Sequence, residues 1–245
     1  MQTFLNRIDG IDDAITTLFL SKRTLTRDLE LDIRRSVQEH SAHTYDGTTP
    51  LGALVTKPDA KLDAWLSTLF KWGVKHITML RFIDLSFSVY GLHRGGQDDL
   101  DAHAYRMHNR IIRSSTRLAD FSTGEVSDYY ADKIIPTDVA LAYLGITTPE
   151  EIEYNGTTYV RATNGYIVKG MEDSRDAKRG LYMLSIPSNF VFRIPLTEFA
   201  HVYRERREGG TANPEVKQSV ESMADQVQAG TMGYVTRDVL MRITQ

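Results

Sequence analysis

The order of helical and strand patterns constrains the fold of this chain more than any other feature of its sequence. Apolar residues at helical spacing predict helices over 10–22, 25–40 and 60–72, and the largely apolar stretch 79–90 is typical of a strand. Similar patterns continue to the end of the chain, predicting helices over 98–114, 174–185, 196–207, 214–228 and from 236, and a strand over 189–194. Because strands and helices do not alternate regularly, the order predicts an α+β protein rather than a doubly wound sheet.

A hairpin pattern interrupts this arrangement near 157–169. Thr157–Val160 and Tyr166–Val168 are rich in β-branched and aromatic residues, and the Asn164-Gly165 pair between them is a strong turn signal. Short helices are expected beside it, over 137–144 and 148–153. We therefore expect a single domain over 1–245, in which helices flank a mixed or antiparallel sheet and a hairpin is inserted at about 146–172.

Composition excludes several classes of function. The 29 basic and 32 acidic residues give a net charge of only −3, which favours neither nucleic acid nor an anionic membrane as a partner. The absence of cysteine excludes disulfides, thiolate metal sites and thiol nucleophiles. His40 and His43 lack a third ligand nearby, so no metal site is expected. No apolar run is long enough to span a bilayer and the first residues do not resemble a secretory signal, so the cytoplasm is the expected location.

The segment 105–117 is the most informative about function. Four arginines recur there at the spacing i, i+4, i+7 and i+11: Arg106, Arg110, Arg113 and Arg117. If the helix that begins at Asp98 continues, they form one basic stripe that suits a nucleotide phosphate, with Ser115 adding a hydroxyl group. The alternative is a solvated helix face whose arginines pair with the aspartates near its start.

Two further segments have both a structural and a functional interpretation. His201–Gly210 is either the charged end of an amphipathic helix or part of a binding site, and His76-Ile77-Thr78 precedes the buried strand. Gly91–Gly96 lacks the Lys-Ser/Thr ending of a P-loop. No Gly-x-Ser-x-Gly elbow or His-Glu-x-x-His helix occurs, so the usual hydrolase and protease signatures are missing.

The order of these segments resembles that of the flavin-dependent thymidylate synthases (ThyX). That family has a His-x-Ser/Thr element before a core strand, an Arg-His-Arg segment leading to Ser-x-Arg, and a later helix followed by Ala-Gln-x-Glu-Ile. This chain has, in the same order, His76-Ile77-Thr78, Ser115-Thr116-Arg117, Thr197–Arg206 and Ala212-Asn213-Pro214-Glu215-Val216. The resemblance spans roughly residues 60–220, and its specificity lies in the order and spacing of degenerate motifs.

The resemblance implies flavin-dependent modification of a pyrimidine deoxynucleotide at C5, most specifically conversion of dUMP to dTMP with FAD, NADPH and methylenetetrahydrofolate. It also implies a homotetramer whose sites form between subunits. The substrate-binding positions would be Arg106, Arg110, Arg113, Ser115, Arg117 and Arg206, of which Ser115 and Arg206 would be catalytic. The flavin-contacting positions would be His76, Thr78, His108, His201 and Asn213.

The chain also departs from the family pattern. Tyr105-Arg106-Met107 stands in place of Arg-His-Arg, Arg113 replaces an acidic residue, and Pro187-Ser188-Asn189 lacks a phosphate-binding arginine. Losing one such arginine typically costs a charge-assisted hydrogen bond of about 1.5–3 kcal/mol. These departures keep two alternatives open, a nucleotide-binding or assembly protein without catalysis and an unrelated α+β interaction protein.

Overall fold

A computed structural model describes residues 1–41, 58–102, 110–113, 125–174, 177–178, 180–208 and 213–243. Its helices are α1 (Ile11–Ser21), α2 (Arg27–His40), α3 (Ala60–Gly73), α4 (Arg94–Ala102), α5 (Thr137–Tyr143), α6 (Leu196–Glu208), α7 (Pro214–Gly230) and α8 (Arg237–Arg242), with a short 3₁₀ helix at Leu80–Phe82. Its strands are β1 (Gln2–Asp9), β2 (Asp84–His93), β3 (Arg110–Arg113), β4 (Glu151–Tyr154), β5 (Thr157–Ala162), β6 (Gly165–Val168) and β7 (Pro187–Pro195).

These elements confirm the predicted α+β class. Four strands form one sheet in the order β1-β2-β7-β3, and three form a second sheet in the order β4-β5-β6. The chain divides into two compact units. The larger unit comprises 2–89, 98–112 and 190–245 and contains all or most of each strand of the first sheet, whereas the smaller unit comprises residue 1, 90–97 and 113–189 and contains the second sheet.

The core of the larger unit is built on the alternation of β2. Leu85, Phe87 and Val89 are buried and the residues between them are not, as expected for a strand with one face against helices. Phe87 packs against Phe199 of α6, with their ring centroids 5.5 Å apart. An aromatic pair of this kind stabilises by about 0.5–1.5 kcal/mol beyond the area that it buries.

The Gln226 side chain is one of the groups that join helix α7 to β1. The Gln226 amide oxygen accepts the Leu5 N–H at 2.6 Å, and its nitrogen donates to the Thr3 carbonyl at 2.8 Å. The amide therefore satisfies main-chain groups of β1 that lie at the edge of the sheet. This contact fixes the start of the chain against a helix more than 200 residues later.

In the described ranges, side chains cap four helices and set where they begin. In each case an oxygen of the residue before the helix accepts a main-chain N–H of the first turn, which would otherwise have no partner. The caps are Thr26 for α2, Asp59 for α3, Asn213 for α7 and Thr236 for α8.

Gly73 has a different role from the one that its position predicts. As the residue that ends an apolar helical pattern it is expected to be a left-handed cap, but the cap is Val74, which has right-handed helical dihedrals. A Cβ atom on Gly73 would lie 2.7 Å from a methyl carbon of Leu80. The glycine therefore serves close packing between α3 and the 3₁₀ helix.

The smaller unit contains the predicted hairpin and a second one. β5 and β6 pair antiparallel with Ala162 opposite Gly165, so Thr163 and Asn164 form the loop. β4 pairs with β5 around Asn155 and Gly156, whose φ values of 50° and 76° are those of a type I′ turn. The helix predicted over 148–153 is therefore wrong, because an Asn-Gly turn at 155–156 pairs this segment as β4.

Three other predicted boundaries differ from the structure. The helix predicted over 98–114 is α4, which ends at Ala102, and Arg110–Arg113 is strand β3. A single helical stripe of four arginines is therefore wrong. The start of the predicted strand 79–90 is the 3₁₀ helix, and residues 180–185 form turns and irregular structure rather than the end of a helix. Among the described residues, no helix combines the length and apolarity needed to cross a bilayer.

Candidate functional site

Helix α6 carries Arg206 into the interior of the larger unit. β7 ends at Pro195 and α6 starts at Leu196, whose N–H donates to the Ile83 carbonyl at 2.8 Å. Four of the buried residues of α6 follow the helical spacing i, i+3, i+4 and i+7: Phe199, Val202, Tyr203 and Arg206. Arg206 therefore occupies a position on the core-facing stripe where an apolar side chain is the usual choice.

The Arg206 guanidinium is buried with incomplete hydrogen bonding. The side chain is only 7% exposed. Its Nη2 donates to the Asp99 carbonyl at 2.6 Å, whereas its Nε has no hydrogen-bond partner within the described residues. No carboxylate in that part of the chain forms an ion pair with it. A buried cation without a counter-charge is costly, so the arrangement favours a ligand oxygen as the missing acceptor.

The contact with Asp99 follows from where α4 ends. The last four carbonyl groups of a helix have no partner within the helix, and Asp99 contributes one of them in α4. The same end of a helix carries partial negative charge, which attracts a guanidinium group. α4 therefore holds Arg206 by its main chain and leaves part of the guanidinium available to a ligand.

Arg207, the next residue on α6, is an ordinary surface cation and differs from Arg206 in its partners. Arg207 donates to the Tyr203 hydroxyl at 3.2 Å and lies 3.6 Å from the Glu221 carboxylate. Burial, followed by the charge of Glu221, raises the pKa of Tyr203, so its phenol is protonated at neutral pH. Within the part of the chain that the structure describes, Arg207 thus has protein partners for its charge, whereas the partner given for Arg206 is a carbonyl group.

His76 and Thr78 lie in the turns between α3 and the 3₁₀ helix, and both are exposed. The His76 ring stacks on the Trp72 indole, with centroids 6.0 Å apart and planes 15° apart. Sequence reasoning missed Trp72. The i, i+4 spacing of the two rings was the available indication, because the His76 N–H donates to the Trp72 carbonyl as in a helical turn, although α3 ends at Gly73.

The remaining predicted residues differ in how far the structure describes them. His201 is half-buried on α6, and the Asn213 side chain accepts the Glu215 N–H at 2.9 Å as the cap of α7. Arg110 and Arg113 lie in β3, the edge strand next to β7. Arg106, His108, Ser115 and Arg117 lie outside the described residues. The contacts that the structure gives thus join Arg206 to α4, His76 to Trp72, and Asn213 to its own helix.

Solved structures of known proteins resemble this chain in fold, whereas comparisons of its sequence find no match. No family model and no curated protein matches the sequence. The chain has the fold of the flavin-dependent thymidylate synthases. One solved example is ThyX from Helicobacter pylori complexed with FAD and dUMP, which has 10% identity and a TM-score of 0.55 and covers 98% of this chain and 99% of its own.

Two further solved structures extend the comparison. A second structure of Helicobacter pylori ThyX with FAD and dUMP has 11% identity, a TM-score of 0.54 and the same coverage. The UMP/dUMP methylase PolB from Streptomyces cacaoi, bound with 5-Br dUMP, has 13% identity and a TM-score of 0.52 and covers all of this chain and 97% of its own. At these identities the likeness establishes the fold.

Proposed function

We propose that this chain binds a pyrimidine nucleotide and modifies C5 of its base in a flavin-dependent reaction. The solved proteins with its fold include a thymidylate synthase complexed with FAD and dUMP and a UMP/dUMP methylase. The observation that carries the proposal is the buried Arg206, whose Nε lacks a partner among the described residues. That arginine occupies the position at which the resemblance requires a pyrimidine-polarising group.

The chemistry follows from what a buried guanidinium does to a carbonyl oxygen. In this proposal, Arg206 donates to a carbonyl oxygen of the pyrimidine and stabilises the negative charge that develops there as the ring reacts. Such a donor acts strongly in a buried site, because little water competes for the oxygen. Bound flavin would supply the hydride, and activation of the ring by Arg206 requires no thiol nucleophile. That is consistent with a chain without cysteine.

The finer form of the proposal is conversion of dUMP to dTMP. Methylenetetrahydrofolate would provide the carbon and NADPH would reduce the FAD. The phosphate would be held by arginines and a serine: Arg106, Arg110, Arg113, Ser115 and Arg117. The flavin would contact His76, Thr78, His108, His201 and Asn213. We place the enzyme in the cytoplasm as a homotetramer.

The first test is an absorbance spectrum of the purified full-length chain, with and without added FAD and dUMP. We expect flavin bands that remain after gel filtration and a spectral change on adding dUMP. Formation of dTMP with NADPH and methylenetetrahydrofolate would establish the finer form. A chain that binds neither FAD nor dUMP would contradict the proposal.

The role of Arg206 is tested by comparing Arg206→Gln with Arg207→Gln. Removing the donor to the base should weaken dUMP binding at least about tenfold, because a charge-assisted hydrogen bond is worth about 1.5–3 kcal/mol. Arg207→Gln makes the same change of charge one residue later, at a side chain that pairs with Glu221, and should leave dUMP affinity nearly unchanged. Calorimetric titration measures both, with melting temperatures to exclude unfolding. Equal affinities in the two variants would remove the role assigned to Arg206.

A binding protein without turnover is the second candidate. Tyr105-Arg106-Met107 in place of Arg-His-Arg favours it, because that change alters the segment next to the phosphate-binding Ser-x-Arg. This candidate predicts dUMP binding without retained flavin and without dTMP. The spectrum and the product assay described above therefore separate the two.

A further inference from the structure

The end of α3 presents an exposed aromatic pair. Trp72 is 45% exposed in the last turn of α3, and its indole is stacked nearly parallel to the His76 ring. The N–H groups of Lys75 and His76 both donate to the Trp72 carbonyl at 2.9 Å, which holds the chain in a tight turn after the helix. The two rings are therefore set by main-chain hydrogen bonds as well as by their own contact.

The segment that carries this pair is locally basic in a chain that is acidic overall. Between residues 71 and 83 the sequence contains Lys71, Lys75 and Arg81 and no aspartate or glutamate. All three cations are exposed, and within the described residues the structure gives none of them an ion pair. Lys71 and Lys75 have the same four-residue spacing as the two rings and precede each of them by one residue. Positive charge thus flanks the aromatic pair.

An exposed indole stacked on an imidazole offers a flat face to another aromatic ring. Planar bases stack favourably on exposed aromatic side chains, and lysine ammonium groups bind phosphate. A ligand with a planar ring and a diphosphate satisfies both features of the surface. Flavin adenine dinucleotide has this chemistry, with two planar ring systems and a diphosphate between them.

We propose that Trp72 and His76 form a stacking platform for a ring of a flavin dinucleotide, and that Lys71 and Lys75 bind its diphosphate. The inference deepens the proposed function and rests on it, because it assigns FAD-binding roles to Trp72 and the two lysines. His76 is a flavin-contacting position by resemblance alone, and its ring contact with Trp72 supplies independent support.

The chain contains only two tryptophans, which makes the proposal directly measurable. Trp65 is 8% exposed and packs edge-on against Phe19, so its emission should respond weakly to a surface ligand. FAD titrated into the full-length protein, stripped of any bound flavin, should quench the emission of Trp72. In Trp72→Phe, where only Trp65 emits, the quenching should be lost while FAD affinity changes little, since phenylalanine also stacks.

The stacking energy is tested by Trp72→Leu. We expect FAD affinity, measured by flavin fluorescence, to fall about tenfold or more with the melting temperature nearly unchanged, because the side chain is half exposed. Titrating the unaltered protein and Trp72→Leu with FMN and with ADP identifies the ring that stacks. The tenfold loss should appear with FMN if the flavin ring stacks and with ADP if the adenine ring stacks. Unchanged affinity for FAD in Trp72→Leu would overturn the platform even if the protein is yellow and active. Failure of the unaltered protein to bind FAD would instead overturn the proposed function itself.

The lysines have a matched control on the same helix. Lys71→Gln combined with Lys75→Gln should weaken FAD binding and reduce its dependence on salt, while riboflavin, which has no phosphate, should bind this variant as it binds the unaltered protein. Lys61→Gln removes the same charge near the other end of α3, where the lysine pairs with Asp32, and should leave FAD binding unchanged. A double variant with unaltered FAD affinity and salt dependence would exclude the lysines from the site.

Discussion

At the scale of the residue, Gly10 illustrates how tightly one position can be constrained. Its φ of +76° begins α1 in a left-handed conformation, and a Cβ atom there would lie 1.9 Å from the Phe82 carbonyl oxygen. Gly233 also has a positive φ, +83°, but a Cβ atom there would meet no atom within 4 Å. A side chain at Gly233 would therefore meet backbone strain alone, whereas a side chain at Gly10 would meet both strain and a steric clash.

We therefore expect Gly10→Ala to destabilise the protein by about 3 kcal/mol or more, because left-handed strain of about 1–2 kcal/mol adds to the clash. Gly233→Ala should cost only the strain. Urea unfolding of both variants measures the difference. Equal losses would mean that the chain near Phe82 yields to the added methyl group.

Glu30 gives a prediction about pH. A hydrogen bond from Arg27, followed by a smaller one from Arg34, lowers the pKa of this carboxyl below its ordinary value of 4.5. A lowered pKa means that the folded state favours the ionised form, so the stabilisation is present above pH 4.5 and is lost as the pH falls through the folded value. Urea unfolding between neutral and acidic pH should show a weaker dependence in Glu30→Gln. Identical profiles would show that the ion pairs of Glu30 with Arg27 and Arg34 contribute nothing to this pH dependence.

Arg206 shows what a sequence conveys about a site at this scale. Its position was predicted, because the resemblance places an arginine there, and its burial is implied by the spacing from Phe199 and Tyr203. The Asp99 carbonyl could not be predicted, since every residue has one and only the end of α4 makes this one available. Main-chain partners leave no trace in the side-chain pattern.

At the scale of the element, the hairpins show which local signals are reliable. Asn164-Gly165 predicts a hairpin that the structure contains. Asn155-Gly156 is an equal turn signal, and the hairpin that it forms outweighs the helical pattern over 148–153. The extension of α4 to 114 fails for another reason. The arginine spacing is helical, but β3 is an edge strand whose pairing with β7 depends on residues about 80 positions away. Long-range pairing of this kind outweighs local periodicity.

Asn213 has two possible roles that an element-scale experiment separates. As the cap of α7, its side chain accepts the Glu215 N–H. Asn213→Ala should therefore cost about 1 kcal/mol of stability, whereas Asn213→Asp, which also caps well, should cost little. Thermal unfolding measures this effect. If FAD affinity also falls in the alanine variant, the predicted cofactor contact is supported, and an unchanged affinity would leave capping as its role.

At the scale of the whole molecule, the resemblance predicts that the proposed site needs more than one subunit. The resemblance implies sites formed between the subunits of a tetramer, so we expect a homotetramer by light scattering coupled to gel filtration. FAD and dUMP binding should then weaken on dilution to concentrations at which the assembly dissociates. If the undiluted protein is a monomer and binds both ligands fully, the site is not shared between subunits. If the undiluted protein is a monomer and binds neither ligand, the proposed function is contradicted.

The direct passage from β7 into α6 has one more consequence for the evolution of this protein. Pro195 and Leu196 are consecutive, with no spacer between strand and helix. One additional residue at this joint would turn every later position of the helix by about 100° about its axis. The apolar stripe and Arg206 would then rotate together, and either the core or the guanidinium would face the wrong way. Changes in length are therefore excluded at this junction by geometry, and related chains should vary there in residue type alone.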